Sequence, residues 1–176
     1  IMKKKFIVKL KELEPKDVTK KYQKWMNDYN VVKYTAQSEY KHTYTDILNF
    51  VKKKKKSKNE FLYGIYLIDK NKSINDHIGN IKLGPINFKN LTADISYFIG
   101  ERKHWGKGLA TQAISEIIKI AKSKFKLKKL QAGHWKKNLG SKKVLKRNNF
   151  KLEGILRSQI VVRNKRYDRY LYGLLI

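Results

Sequence analysis

The sequence predicts an α+β fold, with one mixed, mostly antiparallel sheet flanked by about four helices. Three observations predict it. Three segments rich in β-branched and aromatic residues follow one another between residues 61 and 100, as in an antiparallel meander. A helical segment then leads to a further strand at 128–135, and a strand reached through a helix runs parallel to its predecessor. Two strand segments, 150–162 and 166–176, close the chain as a hairpin around RNKR. The length of 176 residues, the scarcity of proline and the absence of internal repeats predict one domain over 1–176.

Each element has a local reason. FIVKL at 6–10 alternates apolar and polar residues and reads as the first strand. Over 14–28, Val18, Tyr22, Trp25 and Met26 fall on one helical face. Tyr44 to Lys56 reads as a second helix, with Thr45 as N-cap and Ile47, Leu48 and Val51 turned inward. Its end runs into KKKKKSKNE, a solvated helix terminus where lysines suit the negative end of the dipole. FLYGIYLID (61–69), HIGNIKLGPI (77–86) and ADISYFIG (93–100) form the meander, the first two joined by the polar turn KNKSIND. After residue 108 a helix carries Leu109, Ala113, Ile117 and Ile120 along one stripe, with Ala110, Ile114 and Ala121 beside it. KKLQAGHW (128–135) is the next strand. A short helix from Leu139 to Asn148 follows, with Asn138 as cap.

Composition narrows the function. The formal net charge is +28, which suits binding to a phosphate backbone. Yet only six basic residues are arginines (102, 147, 157, 163, 166 and 169), and specific nucleic-acid readers favour the rigid arginine fork. Nucleic acid is therefore not the expected main partner; anionic small molecules, including phosphorylated ones, are drawn to such a surface. There are no cysteines, hence no disulfides and no thiolate chemistry, which suits a reducing cytoplasm. No apolar run has the length of a membrane span and no signal peptide is recognised. The four histidines form no i, i+4 pair and have no cysteine companions, so no metal is expected.

The stretch HWGKGLATQA, 104–113, carries the strongest chemical signal. A helix N-terminus presents unpaired amides and a positive dipole end, and glycines before it let an anion approach the backbone. Gly106 and Gly108 would cradle a pyrophosphate, with Lys103 and Lys107 as supporting cations; a plain tight turn is the alternative. Two phosphate loops are excluded. A Walker A loop needs glycine where Glu101 stands and Ser or Thr where Gly108 follows Lys107. A Rossmann fingerprint needs a third glycine at Thr111.

Longer segments carry a resemblance. ADISYFIGERKHWGKGLATQAI is similar to the acetyl-CoA motif of the GNAT-superfamily acetyltransferases, a strand followed by [QR]-x-x-G-x-[GA] opening a helix. NLGSKKVLKRNNFKLEG resembles that family's N-x-x-S-x-x-x-Y-x-x-x-G-F motif, and RYDRYLYGLLI its closing strand. The order and spacing hold over roughly 60 to 176, in the branch that includes the Rim-type protein N-acetyltransferases, spermidine acetyltransferases and several sugar acetyltransferases. Three positions depart. Lys103 stands for Gln/Arg and keeps a charged donor. Asn149 stands for Gly, and Asn is the non-Gly residue best able to take left-handed angles. Leu145 stands for a Tyr that in many relatives is thought to protonate the departing thiolate.

The resemblance implies a GNAT fold whose sheet splays between strands 4 and 5, and direct attack of an amine on the acetyl-CoA thioester. Tyr97, Phe98 and Ile99 would part from Gln131–Trp135, leaving backbone to bind the pantetheine arm, with an amide near Phe98 or Ile99 polarising the thioester carbonyl. The loop from Arg102, through Lys103, His104, Trp105, Gly106, Lys107, Gly108, Leu109 and Ala110 to Thr111, would take the pyrophosphate. His104 is expected to touch CoA or solvent. Asn138 would reach the pantetheine or the acceptor, assisted by Ser141. His134 is the first candidate base because imidazole titrates near neutrality; the alternative is a packed sheet histidine. Asp168 is second, with a pairing to Arg166 or Arg169 as the alternative; Asp94, Glu153 and Glu39 are weaker.

HIGNIKLGPIN, ADISYFIG and WGKGLATQAI together resemble bacterial acetyltransferases associated with amino-sugar and surface-polysaccharide synthesis, so the leading expectation for the acceptor is an amino sugar, nucleotide-linked. Lysines would meet its diphosphate, and Trp25, Tyr29, Tyr34 and Trp135 would stack on base or sugar, unless they are core. A protein N-terminal amine, as in Rim-type enzymes, is the runner-up. A polyamine suits so cationic a chain poorly. A non-catalytic basic module that binds nucleic acid on the same fold is the third reading, and a homodimer is left open.

Overall fold

The computed structural model of the protein describes residues 6–68 and 74–176. Seven strands form one sheet: β1 (Ile7–Glu12), β2 (Phe61–Ile68), β3 (Ile74–Asn87), β4 (Thr92–Ile99), β5 (Lys129–Trp135), β6 (Lys151–Val162) and β7 (Lys165–Leu175). Their order is β1-β2-β3-β4-β5-β7-β6. Among the described residues five α-helices accompany them: α1 (Lys20–Asn27), α2 (Tyr29–Val32), α3 (Tyr44–Lys56), α4 (Leu109–Ser123) and α5 (Leu139–Arg147). The expected turn between β2 and β3 falls mostly outside the described residues, and β3 begins three residues earlier than its sequence pattern.

The helix expected over 14–28 is broken. Pro15–Asp17 forms a 3-10 turn, and α1 starts only after Thr19, whose hydroxyl accepts the Tyr22 amide. Asp28 leaves the helix with extended backbone and caps α2, its carboxylate accepting the Asn30 amide at 2.9 Å. α3 has its expected span, but its cap is Thr43, not Thr45. The acid three residues after Thr43 decides this: Thr43 Oγ1 accepts the Asp46 amide at 3.1 Å, and Asp46 accepts the Thr43 amide at 2.8 Å, a reciprocal capping box. Asn138 caps α5 as expected, accepting the Ser141 amide at 3.1 Å. Asn149 leaves that helix at φ 64°, the left-handed turn a glycine would otherwise supply.

Each sheet face has its own core. Leu109, Ala113, Ile114, Ile117 and Ala121 of α4 pack on Ile65, Ile81, Leu83 and Leu130; Ile120 and Ala110 stay half-buried at the margin of the stripe. On the other face Tyr22 and Trp25 of α1 and Ile47 and Val51 of α3 pack with Leu62.

All neighbouring strands are antiparallel except β4 and β5, which run parallel. Their pairing covers only Thr92–Asp94 against Lys129–Gln131. β3 holds β4 as far as Ile99, and β7 holds β5 as far as Trp135. From Ile95 and Ala132 onward the two strands therefore part, as the splay required; Gln131 itself is still paired. Ile117 is fully buried between α4 and the sheet. Ile117→Ala is expected to lower the unfolding free energy by about 2–5 kcal/mol in urea titrations. Ile7→Ala, at a residue 54% exposed, should change it by less than about 0.5 kcal/mol.

Candidate functional site

The open end of this gap meets the start of α4. β4 runs into a 3-10 turn, Arg102–His104, then Trp105, Gly106, Lys107 and Gly108. Gly106 and Gly108 have φ of 73° and 76°, a backbone sign that costs an L side chain energy. A Cβ on either glycine would meet nothing within 4 Å, so the space above the loop is open. Gly108 is the N-cap of α4 and supplies no side-chain cap. The first-turn amides of Leu109, Ala110 and Thr111 thus face a helix end with nothing from the cap residue to satisfy them. The Thr111 hydroxyl is buried without a partner. Lys103 and Lys107 are exposed beside them. This donor set fits a diphosphate. Trp105, 41% exposed, anchors the loop: its indole N–H donates to the Ile99 carbonyl at 2.8 Å.

His104 differs from expectation. Its ring is 8% exposed, edge-on to Phe6 at 5.7 Å, with Nε2 3.8 Å from Asp76. Its backbone N–H donates to the Glu101 carbonyl at 2.9 Å inside the turn, so the ring and the amide of His104 both serve the loop's structure.

The strand residues divide by face. Tyr97 and Ile99 pack on the α4 side and Phe98 on the α1 side, so main-chain edges border the gap. The Gly100 amide donates to Ile78 on the β3 side. Amides alternate along a strand, so those of Ile99 and Tyr97 turn toward the gap. The Tyr97 hydroxyl lies 2.8 Å from Ser141 Oγ in the first turn of α5. Burial pushes the phenol up to about 12, against the opposing pull of the Ser141 hydrogen bond. Sequence reasoning placed Tyr97 here for its backbone and missed its hydroxyl, whose partner is 44 residues away.

His134 sits at the end of β5, 3% exposed, stacked on Tyr170 (11° between planes) and Tyr172 (30°). Its Nδ1 is 2.7 Å from the Trp135 carbonyl, so Nδ1 carries the proton and donates, leaving the Nε2 lone pair. Nε2 is buried and unpartnered. Burial holds the ring's pKa below its ordinary value, aided by Lys142 and opposed by the Trp135 hydrogen bond. The expected alternative, a packed sheet histidine, describes its surroundings; the free Nε2 keeps a base role open to it.

Asp168 pairs with neither arginine considered. It accepts the Ser158 amide at 3.0 Å where β6 bulges, 3.9 Å from Lys136 Nζ, while Arg166 donates to the Ser158 carbonyl. Glu153 pairs with Lys129 at 2.8 Å, Glu39 accepts the Arg163 amide at 2.9 Å, and Asp94 lies at the closed end of the gap. Among the described residues no cluster of three or more His, Cys, Asp or Glu could hold a metal, and no helix is long and apolar enough to cross a membrane.

On the α1 side, Trp135 stacks on Tyr167 at 6.1 Å and 13° and meets Tyr34 edge-on at 6.1 Å. Lys33 lies over Tyr34, Lys137 over Tyr167 and Arg163 over Tyr29. An open groove of about 400 Å³ beside them is lined by Met26, Tyr29, Val32, Ser38, Glu39 and Tyr40. Trp25 is core instead: it is 4% exposed, presses on Gly100 and donates to Glu101 at 3.0 Å.

The sequence profile of the family described as "Acetyltransferase (GNAT) domain" matches residues 8–151. The chain is 32% identical over 104 residues to "Uncharacterized N-acetyltransferase p20" of Bacillus licheniformis, covering 59% of this chain and 58% of that protein. Overall it spans about half the length of the curated relatives it matches. Many solved structures share the fold, three of them as follows. Spermidine N-acetyltransferase from Vibrio cholerae, in complex with CoA and spermine, has a TM-score of 0.82 at 20% identity, covering 96% of this chain and 95% of the other. The microcin C7 self-immunity acetyltransferase MccE, in complex with acetyl-CoA and AMP, has 0.82 at 22% identity (97% and 93%). RimL, the ribosomal L7/L12 α-N-protein acetyltransferase in complex with CoA, has 0.85 at 16% identity (97% and 94%).

His77, His104 and His134 all have pKa values held below the ordinary 6.5, chiefly by burial. Well above 6.5 the histidines are neutral in both states and stability is full. Below it the unfolded chain binds protons that the folded chain resists, and stability falls until the folded values are passed. Thermal melts from about pH 7 down to about pH 5 should show a falling midpoint, and His134→Phe should make that fall shallower.

Proposed function

Since the chain belongs to the acetyltransferase (GNAT) domain family, we propose that it transfers an acetyl group from acetyl-CoA to an amine by direct attack on the thioester. The observation that carries this reading is the uncapped start of α4, with two left-handed glycines, at the mouth of a gap between parallel strands. Amides of Leu109, Ala110 and Thr111, with Lys103 and Lys107, bind the diphosphate. The gap-facing amides of Tyr97 and Ile99 on β4, with the Tyr97 carbonyl, bind the pantetheine by strand-like hydrogen bonds, the Ile99 carbonyl being held by the Trp105 indole, and one of these amides polarises the thioester carbonyl. The amine must attack unprotonated, and lysine-like amines have pKa near 10. Neutral His134, with Nε2 free, takes the proton directly or through water. Asn138 orders Ser141 and the start of α5.

The acceptor proposed is an amine on an anionic, aromatic-bearing carrier, such as a nucleotide-linked amino sugar. The wall of Trp135, Tyr167 and Tyr34 offers stacking faces, and Lys33, Lys137 and Arg163 offer charge for phosphate. AMP bound to MccE is in keeping with this. The same cations oppose a polyamine, the ligand of the Vibrio cholerae neighbour. A protein N-terminal amine is the second reading, favoured by the open groove along residues 26–40, which suits an extended peptide.

Thioester release measured with nucleotide-linked amino sugars, peptides and polyamines should be fastest with the first. Turnover of peptides alone would favour the second reading, and retention on heparin with no turnover would favour a binding module. Trp135→Ala should raise the acceptor KM about tenfold, with acetyl-CoA KM within about twofold. Gly108→Ala meets no atom within 4 Å but must hold φ 76°. It should fold, and raise acetyl-CoA KM about tenfold, from a backbone strain of about 1–3 kcal/mol relieved by moving the loop.

A further inference from the structure

Acetyl transfer to an amine leaves the electron pair of the broken C–S bond on sulfur, and that charge needs a donor within the gap. Few side chains of this protein are placed to supply one. Leu145 of α5 is apolar and fully buried. His134 enters the reaction with its one proton engaged with the Trp135 carbonyl, and its Nε2 is committed to the proton of the amine. The Asn138 carboxamide oxygen caps α5. Tyr97 stands three residues beyond the last β4 residue paired with β5, where these two strands have parted, and its hydroxyl crosses to the first turn of α5.

We infer that the Tyr97 phenol, seated on Ser141, is the hydrogen-bond donor to the coenzyme's departing sulfur; this rests on the acetyl-transfer reading above. Ser141 is a positioning residue. Its amide is fixed by the Asn138 cap, and its hydroxyl can donate to the phenol oxygen while the phenol O–H turns to sulfur. Tyr97 does not give its proton away. Burial keeps the phenol near 12, well above a thiol near 8.5, so it stabilises the thiolate by hydrogen bonding and stays neutral. The step balances without a further reactant. The N–C bond forms as the C–S bond breaks, nitrogen sheds one proton through the base or water, and sulfur gains one from solvent.

The test uses free CoA and needs no acceptor. The thiol of CoA bound to the wild-type protein is titrated by thiolate ultraviolet absorbance, with the ligand-free protein subtracted. Its pKa should lie below that of free CoA. Tyr97→Phe, which keeps the ring, should raise it by about one unit, and Ser141→Ala by less. In turnover, Tyr97→Phe should lower kcat about tenfold or more with acetyl-CoA KM within about twofold. A Tyr97→Phe protein that binds CoA with the wild-type thiol pKa and kcat overturns the role of Tyr97 alone. A wild-type protein that takes up no CoA overturns the acetyl-transfer reading and this inference together.

Discussion

The parallel ladder between β4 and β5 ends after three residue pairs, and each strand is then held on its far side by an antiparallel partner. That one-sided pairing is the constraint from which the site follows. Backbone groups left over inside a sheet are costly unless something binds them. Here they line a gap that widens toward the start of α4, whose own first-turn amides are also uncapped. Two sets of unsatisfied donors, one from each kind of secondary structure, converge on the same opening. A ligand with a diphosphate at one end and an amide-bearing arm behind it would satisfy both.

The two faces of the sheet divide the work. On the α4 side lie Tyr97, Ser141 and the buried ring of His134, packed against tyrosines and helix residues. On the α1 side lie the aromatic wall and the open groove. The gap joins these faces, so under the proposed reading the coenzyme and the amine would approach it from opposite sides.

Much of this was legible in the sequence, because the relevant signals are local. Glycines at 106 and 108 before a run of helix formers mark a loop that opens a helix, and both adopt the backbone sign only glycine takes freely. Asn149 kept a left-handed turn and Asn138 kept a cap for equally local reasons. The misreadings were local too. Thr43 and Thr45 are both plausible caps until the acid at Asp46 is counted from each, and Asp28 could end a helix or begin one. What the sequence hid was long-range. Nothing near residue 97 announces a hydroxyl partner at residue 141. Nothing near 104 says that Phe6 will cover the histidine ring, and nothing near 168 says that the carboxylate will pin a bulge ten residues away.

The indole of Trp25 lies against Gly100 and donates to Glu101, the residue that begins the turn into the glycine loop. Lys21, one turn earlier on the same helix, reaches the same carboxylate at 3.9 Å. Helix and loop are therefore geared to one another: any side chain at position 100 would have to be answered by a smaller one at position 25. A tilt of α1 would be transmitted to the start of the glycine loop through these contacts.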